Sequence, residues 1–331
     1  MEQPRPVRFG LIGAGVFGQA YLRTLALLQE RCRLTHVATS RPEAASSYPH
    51  PVTVMPDWRA LVRAGCDAVI IATPPATHAE MVHACVDART PCIVEKPLCL
   101  DPEEADRLTR RIEEAGLPML VDHTRLFHPA YQALKRILAD VREPIRFILT
   151  EGMNFGPFRT DVPALWDWGP HDVSLCLDVM GSRPEHVEAL SGPEGPGGQP
   201  EMVSARLDFP RGVTAWVHVG RLSPRKRRTL TVGTDTTLYY LNELSPEPLK
   251  VARRFQPDAS GRLEWQTVPV ATDVPPLVAM LTYFLDGLGG QDQSRFGPGL
   301  GRDVVRVLAD CQSALDRART GARLNAPPKA S

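Results

Sequence analysis

The sequence predicts an α/β chain in two parts, a doubly wound parallel sheet followed by an α+β domain with an open, mostly antiparallel sheet. Three observations predict it. Apolar strand-like runs alternate with helical patterns from Val7 to Val121, which is the signature of βαβ units. A glycine-rich turn separates the first run from the first helix. After about residue 123 the helices thin out and strand-like segments follow one another through turns, as in antiparallel sheets.

The strand-like runs of the first part are Val7–Ile12, Leu34–Thr39, Val52–Met55, Ala68–Thr73, Cys92–Glu95 and Met119–Val121. Helices are expected near 16–29, 57–64, 76–88 and 102–115, the last capped by Asp101 with Pro102 at its first position. In the second part a helix near 129–140 precedes strands at Ile145–Gly152, His186–Leu190, Met202–Phe209, Gly212–Val219, Thr229–Gly233, Thr236–Leu241 and Trp265–Val270. Helices return near 277–287 and 300–318; 192–200 reads as a loop and 325–331 as a loose tail. The expected domains are 1–123 and 124–331. In the second, Val213, Ala215, Val217 and Val219 alternate with Thr214, Trp216 and His218, so both faces of that strand carry apolar bulk. A homodimer or homotetramer packed through this sheet is expected.

Composition narrows the function classes. The 331 residues are 43% hydrophobic and 23% charged, with a formal net charge of zero. That balance points away from nucleic acid or an anionic membrane as main partner. No apolar run is long enough to span a bilayer, and residues 1–10 carry no apolar signal core. Seven scattered cysteines without a CxxC pair suit reduced, packed thiols in a cytoplasmic protein, and neither a metal site nor a disulfide framework is expected.

The glycine turn carries the first chemistry. Gly13, Gly15 and Gly18 stand in GxGxxG spacing, with Val16 and Phe17 between the last two. Gly13 suits the tight turn, Gly15 the close approach of a pyrophosphate, and Gly18 tight helix–strand packing. The helix N-terminus adds free N–H groups and a positive dipole. This is a dinucleotide-binding fingerprint. An NAD-selective site usually places a carboxylate about 20 residues on, at the end of the second strand, to hold the ribose 2′-hydroxyl. Here Thr39, Ser40 and Arg41 occupy that region. A hydroxyl and a guanidinium favour a 2′-phosphate, so NADP is expected over NAD.

Ligands of open α/β sheets lie beyond the carboxyl ends of the strands, so Thr73, Pro74, Pro75 and His78 should border the cofactor. Glu95 and Lys96 end another strand, and Pro97 keeps the chain extended, with a cis bond an option. A lysine there suits a charge-assisted hydrogen bond to an alcohol or carbonyl oxygen, although a lone strand-end lysine is more often simply solvated. In 164–181 Pro170 fits the first position of a helix reaching about Met180. His171 then falls in its first turn, where the dipole favours a neutral, proton-accepting imidazole. Asp167 sits just before that helix, facing substrate or Lys96. Asp172 and Asp178 read as caps or surface charges. The basic stretch Arg221, Arg225, Lys226, Arg227 and Arg228 reads as a solvated loop between strands, with a phosphate clamp or subunit contact as the sharper alternative.

Taken together, GAGVFG at 13–18, ATPPATH at 72–78, EKP at 95–97 and DWGPHD at 167–172 resemble the glucose–fructose oxidoreductase/inositol dehydrogenase family, Gfo/Idh/MocA, over nearly the whole chain. The resemblance implies an N-terminal Rossmann domain and an α+β second domain. It also implies that Lys96, Asp167 and His171 match the family's catalytic Lys, Asp and His. Many members carry a second Asp where this chain has Ser174. VDHTRLFHPAY at 121–131 resembles the family's domain crossover, which would bring His123 and Arg125 to the substrate. The expected activity is hydride transfer between nicotinamide and a secondary alcohol or ketone of a sugar, polyol or sugar nucleotide, in the cleft between domains. Lys96 would polarise the oxygen and His171 would move its proton. An NAD-dependent glycosidase of the same fold and a non-catalytic cofactor sensor are the alternatives.

Overall fold

A computed structural model describes residues 5–41, 43, 48–195, 197–253 and 263–324. Packing divides the chain into two compact units, one of residues 1–127 with 274–305, the other of 128–273 with 306–331. The sequence boundary at 123/124 treats the chain as two consecutive pieces; by packing, a late segment joins the first unit. The expected tail at 325–331 lies outside the described residues.

The first unit is built on six parallel strands, β1 (Val7–Ile12), β2 (Cys32–Ala38), β3 (Thr53–Met55), β4 (Ala68–Ile71), β5 (Cys92–Glu95) and β6 (Met119–Asp122). Their spatial order is β3-β2-β1-β4-β5-β6. The order reverses between β1 and β4, and such a switch point opens a crevice at the strands' carboxyl ends. Helices α1 (Val16–Leu27), α2 (Trp58–Val62), α3 (His78–Asp87) and α4 (Pro102–Ala115) connect the strands. β4 and β5 are buried along their whole length, as a parallel sheet covered on both faces requires. α4 starts as its sequence dictates: Asp101 accepts from the backbone of Glu103 and Glu104, and Gly116 ends it in the left-handed region. From the late segment, α7 (Pro276–Leu288) joins this unit, its Phe284 ring 6.1 Å from that of Phe9.

The second unit holds α5 (Pro129–Asp140), α6 (Ala164–Met180) and an eight-stranded sheet. The strands are β7 (Phe147–Phe155), β8 (His186–Ser191), β9 (Met202–Phe209), β10 (Val213–Gly220), β11 (Leu222–Gly233), β12 (Thr237–Asn242), β13 (Leu249–Arg253) and β14 (Gln266–Thr267). Their order is β14-β13-β12-β11-β7-β10-β9-β8. Neighbours are antiparallel except β7 and β10. α6 packs on β7, β9 and β10, so Val213, Ala215, Val217 and Val219 are buried beneath it. The alternate positions turn the other way, and Trp216 is 43% exposed with Arg206 over its ring. The last helix, α8 (Pro298–Leu324), begins in the first unit and ends in the second.

Three expectations are corrected. The basic stretch is not a solvated loop. It opens β11, with a bulge between Leu222 and Arg227, and Arg221 at its head is only 1% exposed. Ladder pairing with β7, the buried Glu201 carboxylate and the half-buried Asp167 carboxylate draw it in. β13 was not expected at all; its alternation is confined to Leu249 and Val251 within five residues. The third correction concerns α6. It starts at Ala164 behind Pro163, and Pro170 lies inside it. An internal proline costs about 3 kcal/mol. Burial of Ala164, Leu165 and Trp166 in the preceding turn offsets that cost.

Candidate functional site

In the first unit the functional side chains gather where β1, β4, β5 and β6 end. Gly13 has φ +92°, and a Cβ there would meet the Ala72 carbonyl oxygen at 2.5 Å. A Cβ on Gly18 would meet the Gly13 carbonyl oxygen at 2.2 Å. These glycines therefore set the turn and the helix–strand contact. α1 begins at Val16 with no side chain capping it and no acid in its first turn. Its first N–H groups are left for an anion. Val16 and Phe17 are exposed there, Val16 by 85%. Arg41 is exposed at the end of β2, and its Nη2 lies 3.9 Å from the Cβ position of Gly15. The Thr39 hydroxyl accepts from the Arg41 backbone N–H, which shapes this turn. An uncapped helix start, a backbone cradle that a side chain would fill and a guanidinium beside it fit the diphosphate and ribose of a dinucleotide.

His78 has a different job from the expected ligand contact. It is fully buried, with Nδ1 2.8 Å from the Pro97 carbonyl oxygen and Nε2 2.9 Å from that of Thr73. It ties the 73–75 turn to the end of β5, and burial pushes its pKa down. Thr73 hydrogen-bonds Thr77, so this turn is braced from both sides, with Pro74 exposed and Pro75 half-buried.

Lys96 follows β5 through a cis bond to Pro97. It is 7% exposed, with its ammonium 5.8 Å from the Phe17 ring centre. Around it are buried acids and imidazoles that its charge reaches: Glu95, Asp122, His78 and His123. Glu95 and Asp122 are register partners on β5 and β6, both buried. Neither ring nitrogen of His123 has a hydrogen-bond partner among the described residues. Burial, with Lys96 adding to it, depresses His123 to about 3, so it is neutral. Arg125 is buried in the following 3-10 turn.

The second unit carries the other half of the expected set on α6. Asp167 lies in its first turn and His171 four residues later, so both project from one face of the helix. Because α6 starts at Ala164, the expected dipole argument for His171 does not apply. Asp167 is not an open carboxylate. Its Oδ2 accepts from Arg221 Nη2 at 2.9 Å, and its Oδ1 lies 3.5 Å from Arg159 Nη1. Arg221 also donates to Glu201 at 3.2 Å and to the Val162 carbonyl at 3.0 Å. Asp172 is buried under β7, where a Cβ on Gly152 would meet its Oδ2 at 2.1 Å. Asp178 accepts from the Tyr131 hydroxyl and is no surface charge. Ser174, in place of the second Asp, is buried and donates to the His171 carbonyl, a structural bond. Asp122, Glu201 and Arg159 carry no motif in the sequence. Their roles come from register and from the burial of Arg221.

Both halves of the chain match one family. Residues 7–123 fit the Gfo/Idh/MocA oxidoreductase family, NAD-binding Rossmann fold, and residues 155–239 its C-terminal domain. The chain belongs to the Gfo/Idh/MocA family. It is an oxidoreductase with an NAD-binding Rossmann domain. Among similar proteins is UDP-N-acetylglucosamine 3-dehydrogenase of Acidithiobacillus ferrooxidans, 29% identical over 262 residues, 78% of this chain and 74% of that enzyme. Inositol 2-dehydrogenase of Mycolicibacterium gilvum is 27% identical over 63% of this chain and 62% of its own length. A solved oxidoreductase from Magnetospirillum magnetotacticum MS-1 superposes with a TM-score of 0.83 at 36% identity, over 93% of this chain and all of its own. No helix among the described residues is long and apolar enough to cross a membrane.

Proposed function

We propose that this Gfo/Idh/MocA protein oxidises a secondary alcohol, or reduces the matching ketone, on a sugar, cyclitol or sugar nucleotide. The observation that carries the proposal is Lys96, a nearly buried ammonium at the carboxyl end of β5, beside the exposed first turn of α1. The nicotinamide, when bound, supplies the hydride acceptor or donor. Lys96 donates to the substrate oxygen and stabilises the charge that grows on it. His171 takes or returns the hydroxyl proton. Asp167, fixed by Arg221 and Arg159, orients a substrate hydroxyl, and His123 and Arg125 line the same substrate. The class of substrate is supported by relatives that act on UDP-N-acetylglucosamine and on inositol.

The proposed cofactor is NADP(H) in preference to NAD(H), supported by Thr39, Ser40 and the exposed Arg41 standing after β2 where an NAD-selective site carries an acid. Self-association through the face carrying Trp216 follows from its exposed aromatic surface, and a monomeric mass in light scattering would refute it. The activity is tested by incubating the protein with NAD or NADP and a panel containing myo-inositol and UDP-N-acetylglucosamine. Reduced nicotinamide absorbance is expected to appear with at least one cyclitol or sugar nucleotide. A chain that binds cofactor yet reduces none of it across the panel would defeat the reading. Titration by nucleotide fluorescence is expected to give tighter NADPH than NADH binding. Arg41→Ala should weaken NADPH about tenfold, the loss of roughly one charge-assisted contact, and leave NADH unchanged.

A further inference from the structure

Behind Lys96 lies a group of buried acids that neither hydride nor proton transfer uses. Glu95 and Asp122 are directly opposed on neighbouring parallel strands, so their side chains leave the same face of the sheet. They are 5% and 2% exposed. Tyr21, fully buried on α1, donates its hydroxyl to Asp122 Oδ2 at 2.5 Å, and Thr124 donates to Oδ1. Glu95 Oε1 is buried with no hydrogen-bond partner among the described residues. Two carboxylates opposed and buried in this way repel each other, so one of them keeps its proton. With Tyr21 and Thr124 both donating to Asp122, the proton resides on Glu95.

We infer that Glu95 and Asp122 share one proton at neutral pH and serve as the positioning pair of Lys96, supplying the single negative charge that balances its buried ammonium. The inference takes from the proposed function only the clause that Lys96 meets the reacting oxygen. The charge count supports it. Tyr21 from α1, Thr124 after β6 and Lys96 from β5 act on the pair itself, and His78 from α3 and His123 after β6 surround Lys96. Burial pushes His78 and His123 toward their neutral forms, and it pushes Tyr21 up, away from ionisation. Lys96 is the cation whose charge reaches both carboxyls. Two ionised carboxyls would leave a buried excess of negative charge, and two protonated ones a buried excess of positive charge. Burial raises Glu95 well above the usual carboxylate range, and Asp122 rises less because the hydrogen bonds from Thr124 and Tyr21 oppose it. A substrate oxygen therefore meets an ammonium already balanced and held from behind.

The test counts protonated carboxyl groups by the infrared carbonyl stretch in the full chain, near neutral pH and without substrate. Difference spectra between wild type and variants isolate this pair. Wild type is expected to show one protonated carboxyl. Glu95→Gln and Asp122→Asn should each show none, because the remaining carboxylate pairs with Lys96 alone. Lys96→Met should show two, since the uncompensated charge takes up a second proton. Lys96→Arg should restore one. None or two in wild type, or an unchanged count in Lys96→Met, overturns the inference. The two Lys96 variants leave the carboxyls intact, so they decide the matter even where Glu95→Gln or Asp122→Asn fails to fold. These counts involve no substrate, so an error in the assigned activity would leave them as expected.

Discussion

In the parallel-sheet unit two carboxyls face each other and keep a proton, with a lysine beside them. In the antiparallel-sheet unit two carboxyls, Asp167 and Glu201, face the guanidinium of Arg221 instead. The surroundings explain the difference. Glu95 and Asp122 are brought together by strand register, which fixes their separation regardless of charge. Arg221 sits where β10 hands over to β11 and reaches carboxylates from α6 and from the segment before β9. A guanidinium carries its charge at every working pH and offers a planar fork to two acceptors. The first cluster can therefore respond to protons, whereas the second is a fixed frame. That division suits their proposed tasks: Lys96 meets an oxygen whose charge changes, while Asp167 only orients.

The sharpest test of that division is on rate. If Lys96 and His171 act on the reacting oxygen and Asp167 only orients, His171→Ala should lower turnover by about 10²–10⁴-fold. Lys96→Met should fall comparably, with weaker substrate binding as well. Both should retain NADPH binding by fluorescence, because the glycine turn is untouched. His171→Ala at near wild-type rate would transfer the proton role elsewhere, with His123 the next candidate.

The frame itself is next. Arg221→Met removes the guanidinium that bridges Asp167 and Glu201. Leaving buried charges uncompensated typically costs about 3–5 kcal/mol. Urea unfolding should show that loss in Arg221→Met, and Arg221→Met/Glu201→Met should recover part of it. A variant of wild-type stability would mean that Arg221 is not the frame of its cluster.

His123 tests the proton-responsive side. Its pKa is depressed to about 3 in the fold, against roughly 6.5 when unfolded. The unfolded chain then binds the extra proton first, so this contribution is fully present above pH 6.5 and is lost as pH falls toward 3. Between pH 7 and pH 5 the loss is about 2 kcal/mol. His123→Asn should shrink the wild-type drop in urea midpoint over that interval. An unchanged drop would show that His123 finds a proton-stabilising partner in solution.

The sequence discloses these clusters unequally. Glycine spacing and strand-end position made Gly13, Gly15, Gly18 and Lys96 legible, because local chemistry alone dictates a tight turn and a ligand-facing strand end. Alternation made β10 legible down to which residues turn inward. The burial of Arg221 is not legible, because its neighbours Arg225, Lys226 and Arg227 are exposed and a run of charges gives no hint that its first member is buried. Asp122 and Glu95 are 27 positions apart in sequence; only the β5–β6 register joins them. Pro170 misled for a local reason. Proline favours the first turn of a helix, yet tertiary burial of the residues ahead of it extends α6 by six residues toward the N-terminus.

A half-exposed charge site gives the smallest effect and serves as the contrast for both clusters. Asp67, just before β4, accepts from the Arg8 side chain and backbone and from Arg5. Burial alone would raise its carboxyl, but the hydrogen bonds from Arg8, followed by Arg5, outweigh it and bring Asp67 down to about 2. The folded value lies below the unfolded one, so its contribution is present above about pH 4 and is lost as pH falls through 2. The side chain is 25% exposed and Arg5 is largely in solvent, so screening trims the full linkage value to about 1 kcal/mol. Asp67→Asn keeps the shape and removes the charge. Its urea midpoint should fall slightly at pH 7 and converge with wild type near pH 2, and added salt should narrow the gap at pH 7. The buried Arg221 cluster, by contrast, should show no such salt dependence, since ions do not reach it. Equal salt sensitivity of Asp67→Asn and Arg221→Met would mean that both sites are solvated alike and would erase the distinction between frame and surface pair.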